Sequence, residues 1–152
     1  MDPVLIDGIG LFLFIAGFVV GLGAVTVIDI HGLLGTRSPY WSEATIRTHK
    51  VTKPLIWLGI FLAIVGGAVT FRDVAFIGIP LAHATLALVL IINGWWLSFR
   101  VSPFLLAREA EGKASELLPA SWQRKIATSF VFSIVGWWGS LALLVYYLVT
   151  LS

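Results

Sequence analysis

Three histidines and one aspartate carry most of the chemistry that this sequence offers. Asp29 and His31 lie at the end of the first long apolar segment, His49 precedes the second, and His83 lies inside the third. Imidazole is able to ligate a metal or haem iron and to carry a proton near neutral pH. Because ionisable groups are costly to place in lipid, each of these residues is a candidate functional residue.

A polar cluster is expected where the first two segments approach each other. His49 and Lys53 are four residues apart, which places them on one face of a helix. We predict that they cluster with Asp29, His31 and Asn93. The cluster would be either an ion pair that sets the relative height of two helices, or a proton-relay, metal or anionic headgroup site. No tight motif such as HxxxH occurs, and so no metal site is predicted.

The histidines are also candidate ligands of haem b or another tetrapyrrole. A bis-histidine site needs two imidazoles at one depth, and His31 and His49 meet this condition near one end of the bundle. His83 has no partner histidine at its depth and would be a single axial ligand. The alternative for His83 is a neutral imidazole that is hydrogen-bonded across the bundle.

The amino-acid composition indicates that these residues lie in a membrane protein. Of 152 residues, 59% are hydrophobic and 12% are charged, and the mean hydropathy is +0.97. Soluble domains have about 45–50% apolar and about 25% charged residues, which excludes a soluble enzyme and a nucleic-acid reader. The absence of cysteine excludes disulfides, thiolate zinc sites and iron–sulfur clusters. Without a nucleophile elbow, P-loop or dinucleotide motif, no catalytic residue is predicted.

Four apolar segments are long enough to cross a bilayer, since each has at least the ~20 residues that a spanning helix needs. We predict an all-α protein, a single domain over residues 1–152 that forms an antiparallel four-helix transmembrane bundle. A two-residue loop, Arg72-Asp73, would join the second and third spans. The predicted spans are about 4–31, 52–71, 75–99 and 126–151.

The long loops carry the signals for topology. Nine of the ten Lys and Arg residues follow the first and third spans. The positive-inside rule therefore places the long loops in the cytoplasm and both termini outside, in a bacterial inner membrane. Ser102 and Pro103 resemble a helix N-cap and first turn, which predicts a short interfacial helix with Phe104, Leu105 and Leu106 dipping into lipid.

Small residues recur at helical spacing and predict close packing or room for a flat cofactor. These stripes of small residues are Gly17 and Gly21; Gly59, Ala63 and Gly67; His83, Ala87 and Gly94; and Ser129, Ser133, Gly136 and Ser140.

Trp137 and Trp138 fall near the middle of the fourth span, where we expect one to face lipid and the other to pack inside or to stack on a ring-shaped ligand.

Three motifs stand out along the chain: VTVIDIH ends the first span, RTHKVTKPLIWLGI opens the second, and LAHATLAL lies in the third. Together they resemble the small four-helix membrane proteins of the HemJ and CopD type. The resemblance implies a haem b-binding protoporphyrinogen oxidase or a protein of copper handling, with His31 and His83 matching family histidines. The segment GLGAVTVID is also similar to uncharacterised bacterial membrane proteins with a GLGxxTxxD-like first span.

The chain departs from the HemJ pattern at three places. Apolar residues stand where the family has a histidine in the first span, and Val25-Thr26-Val27 stand where it has an arginine. Thr85 stands where it has a lysine two positions after the histidine of the third span. The resemblance therefore bears on the fold more than on the oxidase activity.

The predicted function is that of a non-catalytic accessory subunit of a larger membrane complex, one with redox or cofactor chemistry. Its partners would be lipids and other subunits, or a second copy, bound through the small-residue faces. The alternatives are a tetrapyrrole-binding redox protein and a small transporter or proton-relay protein that uses Asp29, His49, Lys53 and Asn93.

Overall fold

The computed structural model describes residues 2–151, and none of these residues is in a β-strand. Five α-helices follow one another along the chain, and a π-helical turn, Leu97–Val101, joins the third to the fourth. The helices are α1 (Pro3–Gly35), α2 (Pro39–Thr70), α3 (Ile79–Trp96), α4 (Ser102–Ala110) and α5 (Ala120–Leu151).

Four helical segments are long and apolar enough to cross a membrane, as the sequence predicts. They are α1, α2, the continuous stretch Ile79–Ala110 and α5. At 1.5 Å per residue each is roughly 45–50 Å long, which exceeds a hydrocarbon core of about 30 Å. The helices therefore have room to extend beyond the apolar spans at their polar ends.

The helix boundaries differ from the predicted spans for local reasons. Helix α2 begins at Pro39, well before residue 52, because Ser38 is extended and proline is favourable in a first turn. Residues 75–78 are not helical, and the connection between α2 and α3 is longer than Arg72-Asp73. Pro80 has no N–H and its ring clashes with a preceding helical turn, so that α3 begins only at Ile79.

The predicted short helix after Ser102 is present as α4, but it is continuous with α3 and Leu105 does not face outward. Ser102 has helical backbone angles and makes no cap, because the π-turn carries the chain directly from α3 into α4. Leu105 is 4% exposed and belongs to a buried cluster with Ile46 and Val101. The ring of Phe104 stacks on Trp122 at 4.0 Å between centroids. Helix α4 therefore uses its apolar face inside the protein, where α2 and α5 cover it.

Helices α1 and α2 approach each other at their glycines. A Cβ atom on Gly17 would lie 2.5 Å from the backbone nitrogen of Ala63, and one on Gly59 would lie 2.4 Å from the Cα of Gly21. Such distances exclude any side chain at these two positions without a shift of the backbone. The predicted packing role of the small residues in α1 and α2 is thus confirmed.

Helix α5 presents its small residues to the interior. Ser129, Ser133, Gly136 and Ser140 are all buried. Trp137 is 2% exposed and packs against Phe18, whereas its neighbour Trp138 is 52% exposed. One tryptophan of the pair lies inside and the other outside, as predicted. The main core comprises Phe14, Phe18, Val25, Ile60, Leu90, Trp137 and Leu144.

Candidate functional site

A cavity of about 130 Å³ lies where α1, α2, α3 and α5 meet. Four of the five residues of the predicted polar cluster line it, namely Asp29, His49, Lys53 and Asn93. We call this space the polar cavity. The four residues come from three helices, and the tertiary structure brings them together.

The carboxyl group of Asp29 interacts with one side chain and has one oxygen without a hydrogen-bond partner. Ser133 on α5 is the side chain that interacts with its carboxyl group, whereas its Oδ2 atom is buried and has no partner. Among the ion pairs of residues 2–151, none involves Asp29. The ion pair expected between the first two helices is therefore not among them, and Lys50 of α2 pairs with Glu109 on α4 at 2.7 Å.

His49 and Lys53 face the polar cavity from α2. The Nε2 atom of His49 is buried and has no hydrogen-bond partner. The Lys53 ammonium donates to the backbone carbonyl of Ser98 at 3.4 Å, and the Trp57 indole donates to the Ser98 hydroxyl at 3.0 Å. Lys53 is thus oriented toward the π-turn, and it is the one lysine or arginine among the residues that line the polar cavity.

Asn93 ties two helices together beside the cavity. Its side-chain amide donates to the backbone carbonyl of Ser129 at 3.2 Å, and the Ser129 hydroxyl donates back to the Asn93 carbonyl at 2.7 Å. This reciprocal pair satisfies both polar ends of the amide. Asn93 therefore joins α3 to α5 beside the polar cavity.

His31 is not brought into the polar cavity. Its Nδ1 atom lies 3.0 Å from the Thr48 hydroxyl and its ring packs on Trp41. Asp29 and His31 are two residues apart, which is a rotation of about 200° around an α-helix. This spacing already indicates that they face different sides, and it could have removed His31 from the predicted cluster.

Ser129 and Ser133 are polar-site residues whose spacing predicted close packing or room for a flat cofactor. Both lie on the buried face of α5 and line the polar cavity. Their spacing of four residues gave the correct face. Because serine suits a packing seam and a polar site equally well, only the position of Asp29 opposite Ser133 distinguishes the two roles.

A second cavity, of about 560 Å³, lies between α2 and α3, and residues of α1 and α5 also line it. We call it the apolar cavity. Aliphatic and aromatic side chains make up almost all of its lining. The polar groups there are the imidazole of His83, the hydroxyl of Ser140 and the indole N–H of Trp137. None of its lining residues carries a formal charge when His83 is neutral.

His83 has aromatic neighbours and no hydrogen-bond partner. It is 7% exposed, with its ring centroid 5.2 Å from that of Phe14 and 5.4 Å from that of Phe71. Its Nε2 atom is buried and unpartnered. The expected hydrogen bond across the bundle is therefore not made within the described chain.

A thin apolar wall separates the two cavities. Ile60, Leu90 and Trp137 line both of them. All three are buried core residues. The polar and apolar cavities are thus adjacent spaces inside one bundle, and a shift of the Trp137 ring would change both.

The residues of both cavities fit haem b poorly. The polar cavity is below the roughly 300–1,000 Å³ of ordinary cofactor pockets, and His31, the other half of the expected pair, is outside it. The apolar cavity offers His83 but no cation to neutralise the two haem propionates. Within residues 2–151, no three His, Asp or Glu side chains come together as a metal site.

Comparison with protein families, curated proteins and solved structures gives no match to this chain.

Proposed function

We propose that this protein is a multi-pass membrane protein whose functional centre is the polar cavity, where Asp29 and His49 relay protons. The observation that carries the proposal is that Asp29 Oδ2 and His49 Nε2 are both buried without a partner around one cavity. Unsatisfied buried polar atoms are rare in folded proteins and call for a functional or solvent partner.

Water is the partner that the cavity suits. A volume of about 130 Å³ accommodates several molecules at ~30 Å³ each, and the site offers the several polar contacts that ordered water requires. A carboxylate and an imidazole joined by such water form a path along which a proton can move, because imidazole accepts at one nitrogen and donates at the other.

The charged neighbours of this path are few. Asp29 comes from α1, and His49 and Lys53 come from α2. Helices α3 and α5 face the cavity with uncharged polar groups, among them Asn93 and Ser133. Lys53 is the one lysine or arginine of the lining, and its ammonium donates to the Ser98 carbonyl.

We infer an antiparallel bundle with both termini outside and the polar cavity toward the cytoplasm. The contacts of Gly10 with Val69, and of Gly35 with Trp41, support opposite directions for α1 and α2. The basic residues after the first and third spans support the orientation, and the apolar composition supports insertion in a bacterial inner membrane.

Proton flux into proteoliposomes tests the relay. With a pH-sensitive dye inside and an imposed potassium diffusion potential, the native protein is expected to conduct protons above the rate of empty vesicles. Asp29→Asn and His49→Gln should each reduce this flux to the empty-vesicle rate. His31→Gln and Asp73→Asn are matched controls outside the polar cavity and should conduct normally. Native flux in a folded Asp29→Asn protein would disprove the proposal.

The accessory-subunit function stays a prediction. The outward apolar side chains of the four long helices suit contact with lipid as well as contact with another subunit. Copurification from membranes, followed by identification of bound proteins, is the measurement that distinguishes the two.

A further inference from the structure

We propose that the apolar cavity is a binding site for a neutral, ring-bearing membrane lipid of the prenyl quinone class, whose carbonyl oxygen accepts a hydrogen bond from His83. This inference concerns a different site from the proton relay, and neither depends on the other. It rests on the volume, the charge, the opening and the one unsatisfied donor of the cavity.

The volume suits a headgroup with the start of its tail. Pockets for small ligands commonly measure about 300–1,000 Å³, and the apolar cavity measures about 560 Å³. A packed interior normally contains few voids larger than a water molecule. The space is also open between α2 and α3, and so it is accessible to a ligand from outside the bundle.

The lining requires a neutral ligand. No aspartate, glutamate, lysine or arginine lines the cavity. Burial of an unpaired charge in an apolar site is very costly, and so phospholipid headgroups and haem propionates are disfavoured there. A quinone carries no formal charge and has only carbonyl acceptors as its polar groups.

The opening of the cavity indicates a ligand that enters from the bilayer. Helix α2 packs closely on α1 and α3 packs mainly on α5, which leaves a gap between α2 and α3. Exposed apolar side chains border this gap, with Ile64 and Ala68 on α2 and Ala84 and Leu88 on α3. A prenyl tail can leave through this gap into the surrounding acyl chains without burying any polar atom.

The inner end of the cavity offers one polar anchor among aromatic rings. His83 is more than nine-tenths buried, lines the cavity and has an unpartnered ring nitrogen. Phe14, Phe71 and Trp137 line the same space and present aromatic surfaces on which a flat ring can stack. The quinone carbonyl would accept a hydrogen bond from an N–H of His83, for which the described residues provide no acceptor.

Binding of decylubiquinone to the purified full-length protein tests this inference. Saturable quenching of tryptophan fluorescence and an increase in unfolding temperature are expected. His83→Phe keeps an aromatic ring but removes the donor, and affinity should fall about tenfold, as expected for the loss of one hydrogen bond to a buried group. His83→Gln keeps a donor and should recover part of the affinity.

A second pair of variants tests the location. Ala87→Phe fills the apolar cavity and should abolish saturable binding, whereas Ala142→Phe adds the same ring at an exposed position outside the cavity and should not. Each variant is compared only after its unfolding temperature shows that it is folded. Asp29→Asn should bind decylubiquinone normally, which separates failure of this inference from failure of the relay.

Three results would overturn the inference. Equal binding of decylbenzene, which has ring and tail but no carbonyl, with no effect of His83→Phe, would identify a site for acyl chains. Haemin binding with a Soret band that His83→Phe removes would identify a tetrapyrrole site. Quinone binding that is unchanged in folded Ala87→Phe would place the quinone elsewhere.

Discussion

The indole ring of Trp137 lies against the Cα of Gly21, in the space that a Cβ atom at residue 21 would occupy. Such an atom would lie 2.2 Å from Cη2 of the indole ring. Trp137 is also part of the wall between the polar and apolar cavities. The absence of a side chain at Gly21 therefore determines where this wall stands.

Gly21→Ala is expected to destabilise the protein because the methyl group must displace the Trp137 ring or separate the helices. Overpacking of this kind costs typically 1–3 kcal/mol. Gly23→Ala is a matched control, since a Cβ atom at Gly23 meets nothing within 4 Å. The control should be neutral or slightly stabilising, given the higher helix propensity of alanine. Thermal unfolding in detergent measures both, and equal effects would contradict the prediction.

Leu105→Ala is expected to cost about 2–5 kcal/mol, because it opens a cavity in the buried cluster around Ile46 and Val101. Leu106→Ala should have little effect, since Leu106 is 41% exposed. The two neighbours provide a direct test of whether α4 packs inside the protein. An interfacial helix with both leucines in lipid would instead give similar, small effects in the unfolding measurement.

Asn93→Ala is expected to weaken the contact between α3 and α5. Both hydrogen bonds with Ser129 are lost, and such interhelical bonds in membranes contribute about 0.6–2 kcal/mol. Thr85→Ala is the control, because Thr85 donates only to the Leu81 carbonyl of its own helix. Chemical unfolding in mixed micelles compares the two, and an equal loss would show that Asn93 adds no interhelical stability.

Asp29→Asn is expected to abolish proton flux without lowering the stability of the protein. The substitution removes a charge but keeps the shape, and the native carboxylate has an oxygen without a partner. The unfolding temperature should therefore be unchanged or higher, while proton flux is lost. Asp7→Asn is the comparison, since it removes an exposed ion pair with Arg72 worth at most about 1 kcal/mol. A large loss of stability in Asp29→Asn would indicate a structural role.

Cysteine labelling can test the orientation of the bundle in the membrane, because the chain has no cysteine of its own. Single cysteines introduced by Asp73→Cys and Glu111→Cys give labels without background. A membrane-impermeant maleimide should label Asp73→Cys in intact cells and label Glu111→Cys only after lysis. The opposite pattern would reverse the proposed topology and place the polar cavity toward the outside.

Composition and local spacing were enough to predict several features of the fold. Four long apolar helices follow from the hydropathy, and the close contact of Gly17 with Ala63 follows from small residues at helical intervals. The buried face of α5 likewise follows from its spacing. These features could be predicted because each depends on residues of one helix and on the requirement that backbones approach closely in lipid.

Which polar side chains of different helices share one space depends on how the helices pack together. Asp29, His49, Lys53 and Asn93 meet around the polar cavity because of how α1, α2 and α3 are rotated against one another, which no single helix specifies. The sequence indicated His83 and Ala87 as residues that could border a ligand, but the apolar cavity itself arises from a gap between two helices that are each packed on other neighbours. Helix periodicity specifies the faces of a single helix, whereas a cavity is a property of several helices that pack together.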